Sequence, residues 1–208
     1  MVAVSIFTTN SFPENPMDKL VLASRNKHKI EEMQAMLSKL GIEVLSALDF
    51  PELEEVDEDQ PTLEGNALKK ARYVHEVTGI PALSDDTGLE VDALNGAPGV
   101  YSARYAGEDA SYQDNVLKLL KELGETENRT ARFRTVVALV TGKDEFTFEG
   151  KVEGEILNEQ KGEGGFGYDP VFQPEGYDLT FAELDAAEKN RISHRGRAIK
   201  KFVDFLNA

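Results

Sequence analysis

Two segments of alternating apolar and polar residues, Ala131 to Val140 and Glu145 to Val152, are joined only through the turn residues Gly142-Lys143-Asp144. Alternation of period two marks half-buried strands, and so short a connection can join them only as an antiparallel hairpin. That hairpin excludes a fully parallel sheet. Upstream the pattern differs. The apolar run Leu20-Val21-Leu22-Ala23 stops at Ser24-Arg25-Asn26, after which Ile30, Met33, Leu37 and Leu40 recur at helical spacing until Gly41. Strand followed by loop and helix is the opening of a parallel unit, so the predicted class is α/β with a mixed sheet.

The remaining elements follow the same logic. Ile42 to Leu45 reads as a short strand, and Ala67, Leu68, Ala71 and Val74 as a helix that Thr62 can cap. Ile80 to Ser84 is a buried-strand candidate ending at Asp85-Asp86, and Leu89 to Leu94 is a second strand closed by the turn signal Asn95-Gly96. Ser111 and Asp114 have capping-box spacing ahead of a helix carrying Val116, Leu117, Leu120 and Leu123 on its apolar side. Thr180 and Glu183 have it ahead of a last helix with Ala198, Ile199, Phe202 and Phe205. Residues 1–16 carry no Lys or Arg and read as an N-terminal extension or an extra edge strand, which leaves 17–208 as a single domain.

Charge narrows the partners. The 208 residues carry a net charge of −15, a field that repels nucleic acid and anionic membranes, so any polyanion must be met by a local basic cluster or a bound cation. Neither nucleic acid nor membrane is an expected partner, and the cytoplasm is the expected location. The absence of Cys removes thiolate chemistry and Cys-ligated zinc. With only His28, His75 and His194, in no zinc-ligand spacing, a metal here would be held by oxygen.

Five stretches can carry chemistry. Ser24 to Lys29 lies where a strand meets a helix N-terminus, a place that suits an anion: Ser24 and Asn26 can donate to phosphate oxygens and Lys29 adds a charge, or Ser24 or Asn26 simply caps the helix. Asp85-Asp86-Thr87-Gly88 puts two adjacent carboxylates on opposite faces, one toward a cleft and one securing a neighbouring loop; the alternative is an Asx-turn. Residues 49–64 hold eight carboxylates and no cation, mostly a solvated loop, from which one member can pair with Asp85-Asp86 to hold Mg²⁺. Gly162 to Pro170 has glycines for close backbone approach, Phe166 for stacking and Asp169 to accept from ring N–H groups, or it is a glycine-rich loop with an aromatic tucked into the core. The fifth is the dense basic run Lys189 to Arg197, where Ser193 caps a helix with cations in its first turn, against the dipole preference. There a guanidinium and an imidazole presented together can donate to a carbonyl oxygen, favouring a 6-oxo over a 6-amino purine.

These stretches occur in a familiar order: Ser24-x-Asn26-x-x-Lys29, Thr62-Leu63-x-x-Asn66-Ala67, Ser84 to Leu89, Gly96 to Tyr105, Gly165 to Pro170 and Ser193 to Gly196. From about Leu20 to the C-terminus the chain resembles the inosine/xanthosine triphosphate pyrophosphatases. The resemblance implies a two-lobed mixed-sheet α/β fold with the substrate in the cleft between lobes, a homodimer, and Mg²⁺-dependent hydrolysis of purine nucleoside triphosphates (ITP, dITP and XTP) to monophosphate and pyrophosphate. It implies Asp86 as general base and metal ligand, with Glu58 as the second metal carboxylate; Glu55, Asp57 and Asp59 stay open for that second role. Ser24, Asn26, Lys29 and Thr87 would hold the triphosphate, with Lys70 and Lys189 as further cations. Phe166, Gly167, Tyr168 and Asp169 would bind the base with His194 and Arg195. Three rivals remain at this point: a covalent aspartyl phosphatase releasing orthophosphate, a nucleotide sensor without turnover, and a pyrophosphatase for modified pyrimidines.

Overall fold

The computed structural model describes residues 17–142 and 144–208; the expected extension over 1–16 and Lys143 of the hairpin turn lie outside them. In chain order the elements are β1 (Lys19–Leu22), α1 (Lys27–Leu37), β2 (Glu43–Ser46), α2 (Leu63–Thr78), β3 (Ala82–Val91), β4 (Pro98–Gly99), α3 (Tyr112–Leu123), β5 (Thr130–Val140), β6 (Glu145–Ile156), β7 (Phe172–Pro174), α4 (Ala186–Ile192) and α5 (His194–Leu206). Seven strands form one mixed sheet in the order β2-β1-β3-β5-β6-β7, with β4 on β3. β1 runs parallel to β2 and β3, while β3, β5, β6 and β7 are antiparallel, so the predicted parallel start and antiparallel hairpin share a sheet.

Three apolar clusters bury this sheet. One packs α1 and α5 on one face through Ile30, Met33, Leu37, Ile199 and Phe202. A second packs α2 on the other through Ala67, Ala71 and Val74. The third gathers α3 with Phe133, Phe172 and Phe181 beyond the far halves of β5 and β6. The long central strands thus belong to two lobes, and the cleft lies where the lobes meet. Among the described residues no helix is long and apolar enough to cross a membrane.

Several expectations need correction. The strand does not end at Asp85-Asp86: β3 runs unbroken from Ala82 to Val91, and every residue of it pairs with β5, Asp85 opposite Val137 and Asp86 opposite Val136. Neighbouring cations make two carboxylates tolerable inside a ladder, so neither an Asx-turn nor a second strand exists there. α1 stops at Leu37, before Gly41, with the Ser38 hydroxyl donating to the Ala35 carbonyl. On α3 it is Leu119 that is buried, while Leu117 is 52% exposed. The last helix is two helices. Glu183 does accept from the Thr180 amide, but the Thr180 hydroxyl donates to the Lys161 carbonyl, and Asp185 caps α4. Chain direction changes at Ser193, which ends α4 and caps α5. The junction needs Gly196, where a Cβ would lie 1.8 Å from the Asn190 carbonyl oxygen. Thr62, and Ser111 with Asp114, cap α2 and α3 as their spacing predicts.

Candidate active site

β3 sorts its side chains onto two faces. Ser84 and Asp86 face α2: the Ser84 hydroxyl donates to the Ala67 carbonyl, and Asn66 Nδ2 donates to Asp86 Oδ2 at 3.1 Å. Lys70, one turn further along α2, donates to Glu58 at 2.5 Å and to the Asp85 carbonyl at 2.8 Å, and its Nζ is 3.6 Å from Asp86 Oδ1. Of the acidic run, Glu58 is therefore the member brought to Asp86. Asp59 turns outward to Lys69, and the Lys69 ammonium also takes the Asp57 carbonyl. Burial raises the Asp86 carboxyl above the ordinary range; Lys70 opposes this and the Glu58 charge adds to it. Burial alone would raise Glu58 too, but Lys70 and Lys29 outweigh it and hold Glu58 below its usual value.

Asp85 and Thr87 face the other way, toward α1 and α5. Arg195 donates to Asp85 Oδ2 through Nε at 3.1 Å and Nη2 at 3.0 Å, and Lys29 Nζ lies 3.3 Å from the same oxygen. Burial opposes ionisation of Asp85, yet Lys29, Arg195 and Lys70 hold its carboxyl far below the usual range. The Thr87 hydroxyl shares a hydrogen bond with Thr135 at 2.6 Å and accepts from Arg195 Nη2 at 3.2 Å. Arg195 has five N–H donors, and four of them are spent on Asp85, Thr87 and Glu32. The expectation of a guanidinium free to read a base is thus reduced to a single remaining N–H on Nη1. His194 lies buried against Phe133, ring centroids 4.5 Å apart, and among the described residues its Nδ1 has no hydrogen-bond partner. Burial, with Arg195 and Lys189 nearby, holds the imidazole well below its usual pKa and hence neutral.

The base-end loop folds on itself. Asp169 Oδ2 accepts from the Phe166 amide at 2.8 Å and from Lys189 at 2.6 Å, so this oxygen closes the loop instead of waiting for a ring N–H. Burial raises the Asp169 carboxyl despite Lys189. Gly165 is required here: its φ is +67°, and a Cβ would sit 2.1 Å from Asp169 Oδ2. Gly167 also has positive φ, 63°. The Tyr168 hydroxyl donates to the Ser102 carbonyl, and Phe166 carries His28 stacked on it at 5.3 Å.

At the start of α1, Asn26 is the cap. Its Oδ1 accepts from the His28 and Lys29 amides, so these N–H groups are not offered to an anion as the helix position alone suggests. Ser24 Oγ accepts from the Asn26 amide, leaving the hydroxyl proton of Ser24 for another acceptor.

A cavity of about 530 Å³ joins these groups: Ser24, Asn26, Lys29, Glu58, Lys70, Asp86, Thr87, Phe166 to Asp169, Lys189, His194 and Arg195 all line it. Two residues without a sequence-assigned role stand out. Glu32, three positions after Lys29 on α1, accepts from Lys189 at 2.7 Å and from Arg195 at 2.6 Å, tying α1 to α4 and α5. The signal for it was an acid on the same helix face as Lys29. Arg104 donates to the Glu58 carbonyl at 2.6 Å and lies 3.8 Å from its carboxylate, holding the acidic loop across the cleft. Nothing local in the sequence announces that contact.

Two carboxylates sharing one ammonium form a hard-oxygen donor set that fits Mg²⁺, which takes one or two protein carboxylates and fills its octahedron with water and phosphate oxygens. Among the described residues no group of three or more His, Asp or Glu converges on one point.

Fold and site together define a mixed α/β cleft protein whose cavity sets buried carboxylates against lysines and arginines. Residues 20–205 match the sequence profile of the Ham1 family, and the chain belongs to that family. It is 53% identical over 192 residues to the dITP/XTP pyrophosphatase of Desulforamulus reducens, covering 91% of this chain and 96% of that protein. It is 50% identical over 190 residues to the dITP/XTP pyrophosphatase of Flavobacterium johnsoniae, covering 91% and 98%. The fold matches the solved HAM1 protein of Coxiella burnetii with a TM-score of 0.84 at 41% identity, covering 92% of this chain and 99% of that one. It matches the Ham1 protein of Staphylococcus aureus at 0.82 and 39%, covering 91% and 98%.

Proposed function

We propose that this protein hydrolyses deaminated purine nucleoside triphosphates (ITP, dITP and XTP) to nucleoside monophosphate and pyrophosphate, with Mg²⁺ as cofactor. The observation that carries the reading is Asp86: a buried carboxylate with a raised pKa, sharing Lys70 with Glu58 at the wall of a cleft lined by cations. The relatives named above support the substrate class. A carboxylate whose pKa lies nearer neutrality is the better proton acceptor, so Asp86 takes a proton from the attacking water. Ser24, Asn26 Nδ2 and Lys29 hold the triphosphate at the start of α1, with Lys70 neutralising charge beside the acids. Bound Mg²⁺ would be held by Glu58 and Asp86 and would offset charge on the phosphoryl oxygens and the pyrophosphate leaving group. At the base end the Nδ1 of neutral His194, without a partner among the described residues, and the remaining Arg195 N–H are the groups that distinguish a 6-oxo from a 6-amino purine, because a mismatched polar contact in a desolvated site costs more than a mismatched shape.

The test is hydrolysis of ITP and ATP side by side, with and without Mg²⁺, identifying the phosphate product. ITP-selective, Mg²⁺-dependent release of pyrophosphate is expected. Equal use of ATP, indifference to chelator, or release of orthophosphate overturns the reading; orthophosphate would point to an aspartyl nucleophile. Homodimer formation and a cytoplasmic location belong to the same proposal, checked by light scattering and cell fractionation.

A further inference from the structure

Tyr112 reaches both ends of the cleft. It is the first residue of α3, held in place by the Ser111–Asp114 capping box, and its hydroxyl meets Asn26 Nδ2 at 2.8 Å across a sequence separation of 86 residues. Asn26 can face it only one way: two backbone amides donate to Oδ1, so the NH₂ must point to Tyr112, and the tyrosine oxygen must accept. That leaves the tyrosine O–H and the second Nδ2–H as donors. Both residues line the cavity. The Tyr112 ring meanwhile lies 5.8 Å from Phe166, which is stacked on His28.

We propose that Tyr112 is a substrate-positioning residue that fixes the Asn26 amide, supplies a second O–H donor to the phosphates and braces Phe166, linking the triphosphate and base ends of the site. The proposal rests on the nucleotide reading above. Substrate approaching Asn26 meets two donor groups whose heavy atoms the Asn26–Tyr112 hydrogen bond already holds in place, so ordering them costs little on binding. Because Tyr112 is 41% exposed, removing its hydroxyl disturbs little packing.

The experiment compares wild type, Tyr112→Phe and Tyr112→Ala for kcat and KM with ITP, for inhibition by inorganic pyrophosphate, and for melting temperature. Tyr112→Phe is expected to raise KM and the pyrophosphate inhibition constant about three- to tenfold, the factor one ordinary hydrogen bond supplies, with kcat and melting temperature unchanged. Tyr112→Ala, which also loses the contact with Phe166, is expected to raise KM further. A KM for Tyr112→Phe within about twofold of wild type, or a fall in kcat at unchanged KM, overturns the proposal alone. A wild-type protein inert toward ITP overturns both this proposal and the reading beneath it.

Discussion

Asp85 and Asp86 are neighbours on one strand, both buried, and chemically opposite. Asp85 points to the α1 and α5 face, where Arg195 and Lys29 keep it ionised; Asp86 points to α2, where burial and the Glu58 charge outweigh Lys70 and raise its pKa. The alternation of a strand sends two identical side chains into different electrostatic surroundings. One ties β3 to α1 and α5, and the other is the proton acceptor proposed above.

The sharpest break of this comparison is by turnover. Asp86→Asn is expected to lower kcat about 10²- to 10⁴-fold, the range of general-base catalysis, with circular dichroism unchanged; wild-type turnover would refute its role as base. Its stability should move the other way. A carboxylate with a raised folded pKa favours the native state at low pH and loses that contribution as pH rises through the folded pKa, so the amide variant should melt at or above the wild-type temperature near neutrality.

Asp85→Ala, by contrast, leaves the Arg195 charge buried without that partner and should cost about 3–5 kcal/mol in urea unfolding. Because the Asp85 pKa is depressed, its stabilisation is complete above the ordinary carboxylate range, roughly pH 4, and is lost as pH falls toward the folded value. A smaller loss than that of exposed acids would show that Lys29 and Glu32 reorganise around Arg195.

His194 shares the Asp85 face and sharpens the contrast. Held neutral in the fold, it makes stability fall as pH drops below about 6.5, where the unfolded chain gains a proton the native state refuses. His194→Gln should remove that component, with a slope difference of at most about 1.4 kcal/mol per pH unit between pH 6.5 and 5; identical slopes would show the ring to be protonated in the fold. The smallest effect belongs to Thr135→Val, which removes the hydroxyl shared with Thr87. A loss of about 1 kcal/mol in urea unfolding is expected, with ITP turnover kept, and a loss of turnover instead would place Thr87 closer to the chemistry.

Much of this molecule was legible along the chain because its signals are local. Thr62, Ser111 and Ser193 cap helices through their own next residues, and the hairpin declares itself by alternation over a short turn. Order of motifs was sufficient for the family. Where the reading went astray, the deciding partner was distant in sequence. Asp85-Asp86 resembled a strand end because two acids in a ladder make sense only once Arg195, 110 residues away, and Lys70 are in place. Arg195 itself resembled a free donor because its acceptors lie on β3 and α1. Local dihedral preference and periodicity are written into neighbouring residues, so the chain alone determined most of its elements and the caps at Thr62, Ser111 and Ser193. The charge state and aim of each buried side chain depend on what the fold sets against it, and only the tertiary structure decided which acid serves as scaffold, which faces Glu58, and that Glu32, Arg104 and Tyr112 belong to the site.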